Sequence, residues 1–411
     1  VVDGLFVSNF VGKNAFAAVN LIMPFLMGIS ALGFMIGTGG SAIVAKTLGE
    51  GKTEKANEYF SMLVYITAIG GIIIAILSMF LVKPVAILFG ASGALLDNCI
   101  LYGRILCISL PAFMLQNVFQ SFFVTAEKPH LGLRVIVIAG VTNMVLDFLF
   151  VAVLHFGLPG AGFATVCGEF IGGLFPLFYF GRKNSSLLKL GNTHFHGRIL
   201  LKTCANGSSE LMTNLSSSIV NALYNMQLMK FAGEDGVAAY GTIMYVNFIF
   251  VSIFLGYAIG SAPIVSYHYG ANNQDELKNL FLKSIRLIGT WAVSLFVIAQ
   301  LIATPLATLF VGYDHGLFEL TRNGFRLYSF AFLINGFNIY GSAFFTALNN
   351  GLLSALISFL RTLVFQMAIV LLLPLILGIN GVWCSVAIAE LLTLCVTGTF
   401  IIRKRSTYHY F

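Results

Sequence analysis

Charged side chains are scarce in this sequence. Only 9% of its 411 residues are charged and 58% are hydrophobic, and the mean hydropathy is +0.90. A soluble domain carries roughly 25% charged residues, and the 23 basic and 16 acidic side chains present here could not cover the surface of a water-soluble fold of this length. Proline is also rare, with 9 residues beside 42 glycines, which excludes collagen-like and disordered chains. The composition therefore predicts a membrane protein.

Motifs of enzymes and of nucleotide-binding proteins are missing as well. The six cysteines never form a CxxC pair, and no His-Glu-x-x-His or Gly-x-Ser-x-Gly sequence occurs. Gly51-Lys52-Thr53 ends like a phosphate loop, but Lys46 stands where the required glycine should be. Gly37-x-Gly39-x-x-Ala42 lies inside an apolar run, where close helix packing explains it. We expect neither an enzyme, nor a cofactor, nor ATP as the energy source.

Long apolar runs are what the sequence has in abundance. A spanning helix needs about 20 mainly apolar residues. Eleven such runs occur, at residues 15–45, 59–82, 98–124, 131–155, 160–181, 203–229, 236–266, 280–304, 322–347, 351–376 and 380–402. The chain opens inside a twelfth, which we interpret as the end of a truncated first helix that reaches a turn at Gly12-Lys13-Asn14, and no cleavable signal peptide is visible. The prediction is an all-α polytopic membrane protein with twelve transmembrane helices.

The basic residues collect at alternate ends of the spans. Counting the truncated helix as the first span, 16 of the 23 lysines and arginines follow the second, fourth, sixth, eighth and twelfth spans. Only four lie on the other side, and three lie within spans. By the positive-inside rule, the 16 face the cytoplasm of a plasma (inner) membrane, and both termini are cytoplasmic. The net charge of +7 thus reflects topology, and we expect no nucleic-acid partner.

The chain contains an internal repeat with an offset of 221 to 223 residues. Gly157-x-x-Gly160, followed by Glu169, recurs as Gly378-x-x-Gly381, followed by Glu390. Because six helices separate the copies, the repeats are parallel, and they predict two six-helix lobes. The predicted domains are an N-lobe over 1–181, a cytoplasmic linker over 182–202 and a C-lobe over 203–411. Two such lobes are typical of a transporter, and no filter-like loop of a channel is visible.

The sequence resembles one known family over its whole length. The resemblance rests on Val2-Asp3-Gly4-Leu5-Phe6-Val7, an Ala-Ala-rich second helix, the Gly49-Glu50-Gly51-Lys52 loop, Asn143-x-x-x-Asp147 and Gly160-Ala161-Gly162-Phe163-Ala164-Thr165. These segments are similar to those of the multidrug and toxic compound extrusion (MATE) transporters. The resemblance implies a two-lobe fold and a transport function.

Polar side chains at mid-membrane depth form one candidate site. Asn143 and Asp147 share a helix face, and helical rise places Asp147 at ~12 Å and Asp3 at ~13 Å from the same membrane surface. Thr165 lies in the same half of the membrane. Two carboxylates, an amide and a hydroxyl suit either Na⁺ or a shared proton. In the resembling family, the matching positions form the cation or proton site of the N-lobe.

The repeat singles out Asp147 among the intramembrane acids. At an offset of 221 or 222, its counterpart is Ala368 or Ile369, and an offset of 223 gives Val370. An acid that served only the fold should have a similar counterpart in the second lobe. The carboxylate therefore belongs to an activity that one lobe performs, although a buried aspartate satisfied by a neighbouring helix is the alternative.

Other intramembrane polar residues are assigned to the second lobe or to packing. Glu169 and Glu390 are repeat mates, which favours a shared packing or capping role, and Arg361 is expected to pair with an acid or to extend to the interface. Glu210 resembles the seventh-helix acid that some family members use in a C-lobe site. A possible second-lobe or substrate site comprises Glu210 with Asn225, Asn335, Asn338 and Tyr340.

The function expected from these features is secondary-active antiport. The protein would act as a monomer in the lipid bilayer and export small amphipathic, often cationic organic compounds, including drugs, in exchange for H⁺ or Na⁺. The alternative is a flippase for lipids or lipid-linked oligosaccharides with the same two-lobe fold. Such a flippase should line its cavity with arginines, and this chain has few in its spans. An ion channel would not need the two carboxylates.

Overall fold

The fold is known from a computed structural model, which describes residues 6–311 and 314–410. All regular secondary structure in these two ranges is helical. Ten continuous helical stretches among the described residues are long and apolar enough to cross a membrane. Two of them, His315–Ala347 and Gly351–Leu377, consist of consecutive shorter helices. Another of these stretches, Gly197–Gly270, contains a non-helical residue, Gly233, with φ 62° and ψ −148°, and is therefore two helices in sequence. The eleven predicted spans are confirmed, and the chain is a multi-pass membrane protein.

The chain divides into two compact units, residues 1–207 and 208–411. The helices of the first unit follow a short π-helical turn at Val7–Val11. They are α1 (Lys13–Gly49), α2 (Thr53–Leu88), α3 (Gly93–Thr125), α4 (Pro129–Asp147, continued by a π-helical segment at Phe148–Val153) and α5 (Gly157–Gly181). Helix α6 (Gly197–Gly270) begins in this unit and continues into the second.

The second unit has shorter, more interrupted helices at its end. They are α7 (Gln274–Val311), α8 (His315–Tyr328), a 3₁₀ turn at Ser329–Ala331, α9 (Phe332–Ala347), α10 (Gly351–Phe359), a π-helical segment at Leu360–Phe365, α11 (Gln366–Leu372), α12 (Pro374–Leu377) and α13 (Ile379–Tyr408).

The repeated Gly-x-x-Gly motif has the same structural cause in both units. Gly157 and Gly378 have φ values of 64° and 57°, which favour glycine, and each stands at the start of the last long helix of its unit. Three residues later the backbone passes close to the preceding segment. A Cβ on Gly160 would lie 3.1 Å from Phe150 Cβ, and one on Gly381 would lie 2.6 Å from the Leu373 carbonyl oxygen. The motif therefore forms the tight connection into these helices.

The segment predicted as a linker, 182–202, lies in the first unit. Its backbone bonds to the start of α2: the Lys189 N–H donates to Asn57 Oδ1 at 2.7 Å, and the Gly191 N–H donates to Ser61 Oγ at 3.0 Å. His196 Nε2 lies 2.9 Å from Glu58 Oε1. Because its polar backbone is satisfied by α2, this segment packs with the first unit, and residues from 197 onward are already helical.

Candidate functional site

The polar residues Asn143, Asp147 and Thr165 come from two adjacent helices of the first unit. Asn143 Nδ2 donates to Thr165 Oγ1 at 3.3 Å, which joins α4 to α5. The close approach depends on Gly168, one turn after Thr165, because a Cβ there would lie 2.9 Å from the Ala139 carbonyl oxygen and 3.1 Å from Asn143 Cβ. A small residue on α5 thus brings the hydroxyl to the amide.

Asp147 lies one turn after Asn143 and is completely buried, with 0% of its surface exposed. It is the last residue of the α-helical part of α4, and the π-helical segment Phe148–Val153 begins directly after it. Single π-helical turns occur frequently at functional sites because they widen the helix and redirect side chains. Asp3, the fourth predicted member of this group, lies outside the described residues.

Glu169 occupies a second polar position in the same unit. It stands one turn after Thr165 on α5, and its Oε2 accepts a hydrogen bond from Ser109 Oγ of α3 at 2.6 Å. The carboxylate lines a narrow pocket whose other members are apolar. They are Met23, Leu26 and Met27 of α1 and Leu106, Leu110 and Phe113 of α3. This position therefore combines one acidic side chain with an adaptable apolar wall of methionine, leucine and phenylalanine.

The repeat mate of Glu169 has a different environment in the second unit. Glu390 is 1% exposed, and both of its oxygens accept from Arg361 Nε, at 2.8 and 3.0 Å. Asn338 Nδ2 donates to Glu390 Oε2 at 2.7 Å and to the Glu390 carbonyl oxygen at 2.8 Å. Arg361 belongs to the π-helical segment Leu360–Phe365. The contacts of the two glutamates therefore differ, because Gly140, Ala139 or Ile138 stands at the position equivalent to Arg361 in the first unit. The shared packing or capping role stays a prediction.

The remaining residues predicted for the second unit are only partly brought together. Glu210 is close enough to Arg361 for their charges to interact. Asn335 lies one turn before Asn338 on α9 and is buried, whereas Asn225 is exposed. Tyr340 packs against Tyr257 and Phe344, with ring centroids 6.0 and 5.7 Å apart. Among the described residues of the second unit, the contacts therefore join Asn338, Glu390 and Arg361, and Glu210 lies within electrostatic range of Arg361.

Two features of these sites were missed by sequence reasoning. One is the pairing of Ser109 with Glu169, for which a lone serine in an apolar run gives no signal. The other is the π-helical geometry at Phe148–Val153 and Leu360–Phe365. The repeat did contain a usable signal: Glu169 and Glu390 align, while the arginine that would pair with the acid is present only at position 361.

Comparisons with known proteins agree with this architecture. The MatE family matches residues 1–149 and 211–393. The chain is similar to the multidrug export protein MepA of Staphylococcus saprophyticus, with 21% identity over 410 residues that cover 98% of this chain and 89% of that protein.

Solved structures with the same fold cover nearly the whole chain. The crystal structure of MATE in complex with MaL6 superposes with a TM-score of 0.94 at 24% identity and covers 100% of this chain and 92% of the other. A MOP superfamily transporter from Pyrococcus furiosus, described as having a reversed binding-pocket polarity, superposes with a TM-score of 0.92 at 24% identity and covers 99% and 91% of the two chains. The family match over most of the chain identifies this protein as a transporter, not an enzyme, and as a member of the MatE family.

Proposed function

We propose that this protein is a secondary antiporter that exports amphipathic, cationic organic compounds in exchange for H⁺ or Na⁺. The observation that carries the proposal is the complete burial of Asp147 in a spanning helix, next to an amide and a hydroxyl that are joined by a hydrogen bond. A carboxylate at this depth costs about 2.5–3.5 kcal/mol on insertion scales. The MepA relative, named as a multidrug export protein, supports the drug-export part of the proposal.

The coupling ion would bind at Asp147, Asn143 and Thr165, together with Asp3. Carboxylate, amide and hydroxyl oxygens are hard ligands that suit Na⁺, and a carboxylate in an apolar setting also takes up a proton readily. Binding of either cation removes the negative charge that disfavours burial. The ion thereby stabilises one state of the first unit, and its release favours another.

The cargo would place its positive charge at Glu169. The pocket around this acid is apolar, and its two methionines can adapt to ligands of different shape. Glu169 and Thr165 are one turn apart on α5, about 6 Å along the helix. A cation at Thr165 and a cargo cation at Glu169 would repel each other, so competition for neighbouring negative charge couples the two flows.

In the second unit, Glu210 would be the exchangeable acid. Arg361 already compensates Glu390 through two short contacts, so the second carboxylate near this arginine gives the group one excess negative charge. Asn338 of α9 adds an amide group that donates to Glu390, and Asn335 lies one turn before it. This assignment predicts that a second proton or Na⁺, or the cargo, is held by Glu210.

The protein would operate as a monomer in the plasma membrane, with both termini in the cytoplasm. The orientation is supported by the basic residues at the ends of α1, α3 and α13. The two lobes of the predicted domains, 1–181 and 203–411, would alternate access to the site from the two sides of the membrane. No cofactor beyond the coupling ion is required by this mechanism.

Transport in proteoliposomes tests this proposal. The purified chain is reconstituted, a pH gradient or a Na⁺ gradient is imposed separately, and uptake of ethidium is followed by fluorescence. We expect one of the two gradients to drive uptake and Asp147→Asn to abolish the response. Arg134→Gln, which removes an exposed charge near the start of α4, serves as the control and should retain uptake.

Two results would contradict the proposal. Uptake by the Asp147→Asn variant at the wild-type rate would show that this carboxylate does not couple the flows. Uptake that is independent of both gradients would show that the protein is not an H⁺ or Na⁺ antiporter.

A further inference from the structure

Two arginines at equivalent repeat positions remain outside the sites described above. Arg104 lies in α3 and Arg326 in α8, each eleven residues after the first residue of its helix, Gly93 and His315. That spacing corresponds to about 16 Å of helix. Both side chains are exposed, and no described acid forms an ion pair with either of them. A charge on the outside of a membrane helix at this depth requires a partner from its surroundings.

Arg104 lies in an open groove along the outside of the first unit. The groove runs between α2 and α3 and combines two charged residues with apolar ones. It is lined by Met79, Asp97, Ile100, Leu101, Arg104, Ile105 and Ile108. Leu101 and Ile108 are 43% and 46% exposed. The neighbouring face of α2 is also apolar and exposed, with Phe80 at 74%. These surfaces are suited to acyl chains.

One long hydrogen bond joins Arg104 to the backbone of α2. Arg104 Nε donates to the Met79 carbonyl oxygen at 3.4 Å, which leaves the two terminal amino groups of the guanidinium for another acceptor. The guanidinium presents these groups as a planar fork that matches the oxygens of a phosphate. The phosphate of a phospholipid is the anion that is available along the outside of a membrane helix.

Asp97 adds a second, oppositely charged contact in the same groove. It stands seven residues before Arg104, about 10 Å nearer the start of α3, and is exposed. A lipid held by its phosphate at Arg104 would extend its headgroup toward this carboxylate. An acid beyond the phosphate favours a headgroup that ends in a primary ammonium.

The second unit has a related arrangement with one difference. Glu319 stands seven residues before Arg326, as Asp97 does before Arg104. Glu319 is already paired with Arg322, whereas position 100 of the first unit, which is equivalent to Arg322, is an isoleucine. The acid of the second unit is therefore engaged, and the carboxylate available for an ammonium group belongs to the first.

We propose that the groove between α2 and α3 binds one aminophospholipid, with its phosphate on Arg104, its ammonium on Asp97 and an acyl chain along Leu101 and Ile108. The lipid lies in the leaflet opposite the basic loops, because α3 ends at Thr125 next to Lys128 and begins at Gly93 on the other side. This site is separate from the transport site and is independent of the coupling ion. It predicts that the protein selects phosphatidylethanolamine over phosphatidylcholine.

Native mass spectrometry of the purified full chain tests the proposal. The delipidated protein in detergent is titrated with dioleoyl phosphatidylethanolamine or dioleoyl phosphatidylcholine. We expect one tightly bound phosphatidylethanolamine, and we expect Arg104→Gln to weaken its binding about fivefold or more. Asp97→Asn should abolish the preference for phosphatidylethanolamine while phosphatidylcholine binding is retained. Arg134→Gln, the matched control, should change binding by less than about twofold.

The opposite results would overturn the proposal. If Arg104→Gln binds phosphatidylethanolamine as the wild type does, the phosphate is not held there. If Asp97→Asn keeps the lipid preference, the ammonium contact is wrong. If soluble glycerophosphoethanolamine competes as well as the lipid, the site binds a free phosphate ester. Should Arg104→Gln fail to fold, two other variants replace it: Arg104→Lys, which removes the planar fork, and Ile108→Trp, which narrows the groove. Each should keep the wild-type melting temperature and bind phosphatidylethanolamine more weakly than the wild type does. Wild-type binding by both variants would overturn the proposal.

Discussion

Glu169 and Glu390 occupy equivalent positions in the two repeats, yet their partners differ in charge. The carboxylate of Glu169 accepts a hydrogen bond from a serine hydroxyl, whereas that of Glu390 is bonded to the Arg361 guanidinium and to Asn338. A buried carboxylate beside a guanidinium is compensated permanently, but one beside a hydroxyl changes its charge when a proton or a cation binds. The comparison assigns a fixed, compensated charge to Glu390 and an exchangeable one to Glu169.

The π-helical segments extend the same comparison. In the first unit, the segment Phe148–Val153 directly follows Asp147, and in the second unit, Leu360–Phe365 contains Arg361. In each unit, a charged residue of the candidate sites, Asp147 or Arg361, thus lies at a π-helical segment of a spanning helix. The same local geometry occurs beside an acidic residue in the first unit and at a basic residue in the second.

The largest expected effect follows from removal of the fixed positive charge. Arg361→Met leaves Glu390, which is 1% exposed, without its positively charged partner. Breaking a buried ion pair in this way costs about 3–5 kcal/mol. We expect a marked drop in the midpoint of thermal unfolding in detergent, measured by intrinsic fluorescence.

A double variant separates charge from packing in that experiment. Arg361→Met combined with Glu390→Gln removes both charges and should recover most of the lost stability. If the single variant is as stable as the wild type, the pair is not the fixed charge of the second unit.

A smaller effect is expected from the equivalent acid of the first unit. Glu169→Gln keeps a hydrogen-bond acceptor for Ser109 and should change the unfolding midpoint little. It removes the negative charge from the pocket lined by Met23, Met27 and Phe113. We expect about a tenfold loss of affinity for ethidium, which corresponds to about 1.4 kcal/mol, measured by fluorescence anisotropy.

A neutral cargo and a second variant sharpen this prediction. Affinity for an uncharged dye of similar size should be preserved in Glu169→Gln, and Ser109→Ala should retain ethidium binding because the carboxylate remains. Equal losses for the charged and the neutral dye would mean that Glu169 acts on the shape of the pocket.

The smallest effect concerns the neutral members of the ion site. Thr165→Val removes the hydroxyl that accepts from Asn143 Nδ2. A hydrogen bond of this kind contributes about 0.5–1.5 kcal/mol, so the apparent affinity for the coupling ion should fall about threefold to tenfold. The ion concentration that gives half-maximal transport measures the change, and Thr213→Val, on a hydroxyl bonded within α6, is the control.

Much of this fold was predictable because each span must be apolar along its whole length. The eleven runs follow from that requirement, and residue matches at a nearly constant offset revealed the repeat that pairs Gly157 with Gly378. The contacts of Glu390 were not predictable in detail, since the three residues involved are 29 and 52 positions apart and meet only through helix packing. The pocket at Glu169 also depends on packing, because its members come from three helices.

The most direct test of the central claim compares cation release by the two units. Purified protein in weakly buffered detergent solution is mixed with a saturating organic cation, and released protons are measured with a pH indicator, or released ²²Na⁺ by its radioactivity. The account predicts wild-type release by the double variant Arg361→Met/Glu390→Gln and a clear reduction in release by Asp147→Asn. Undiminished release from Asp147→Asn, with loss in the double variant, would contradict it.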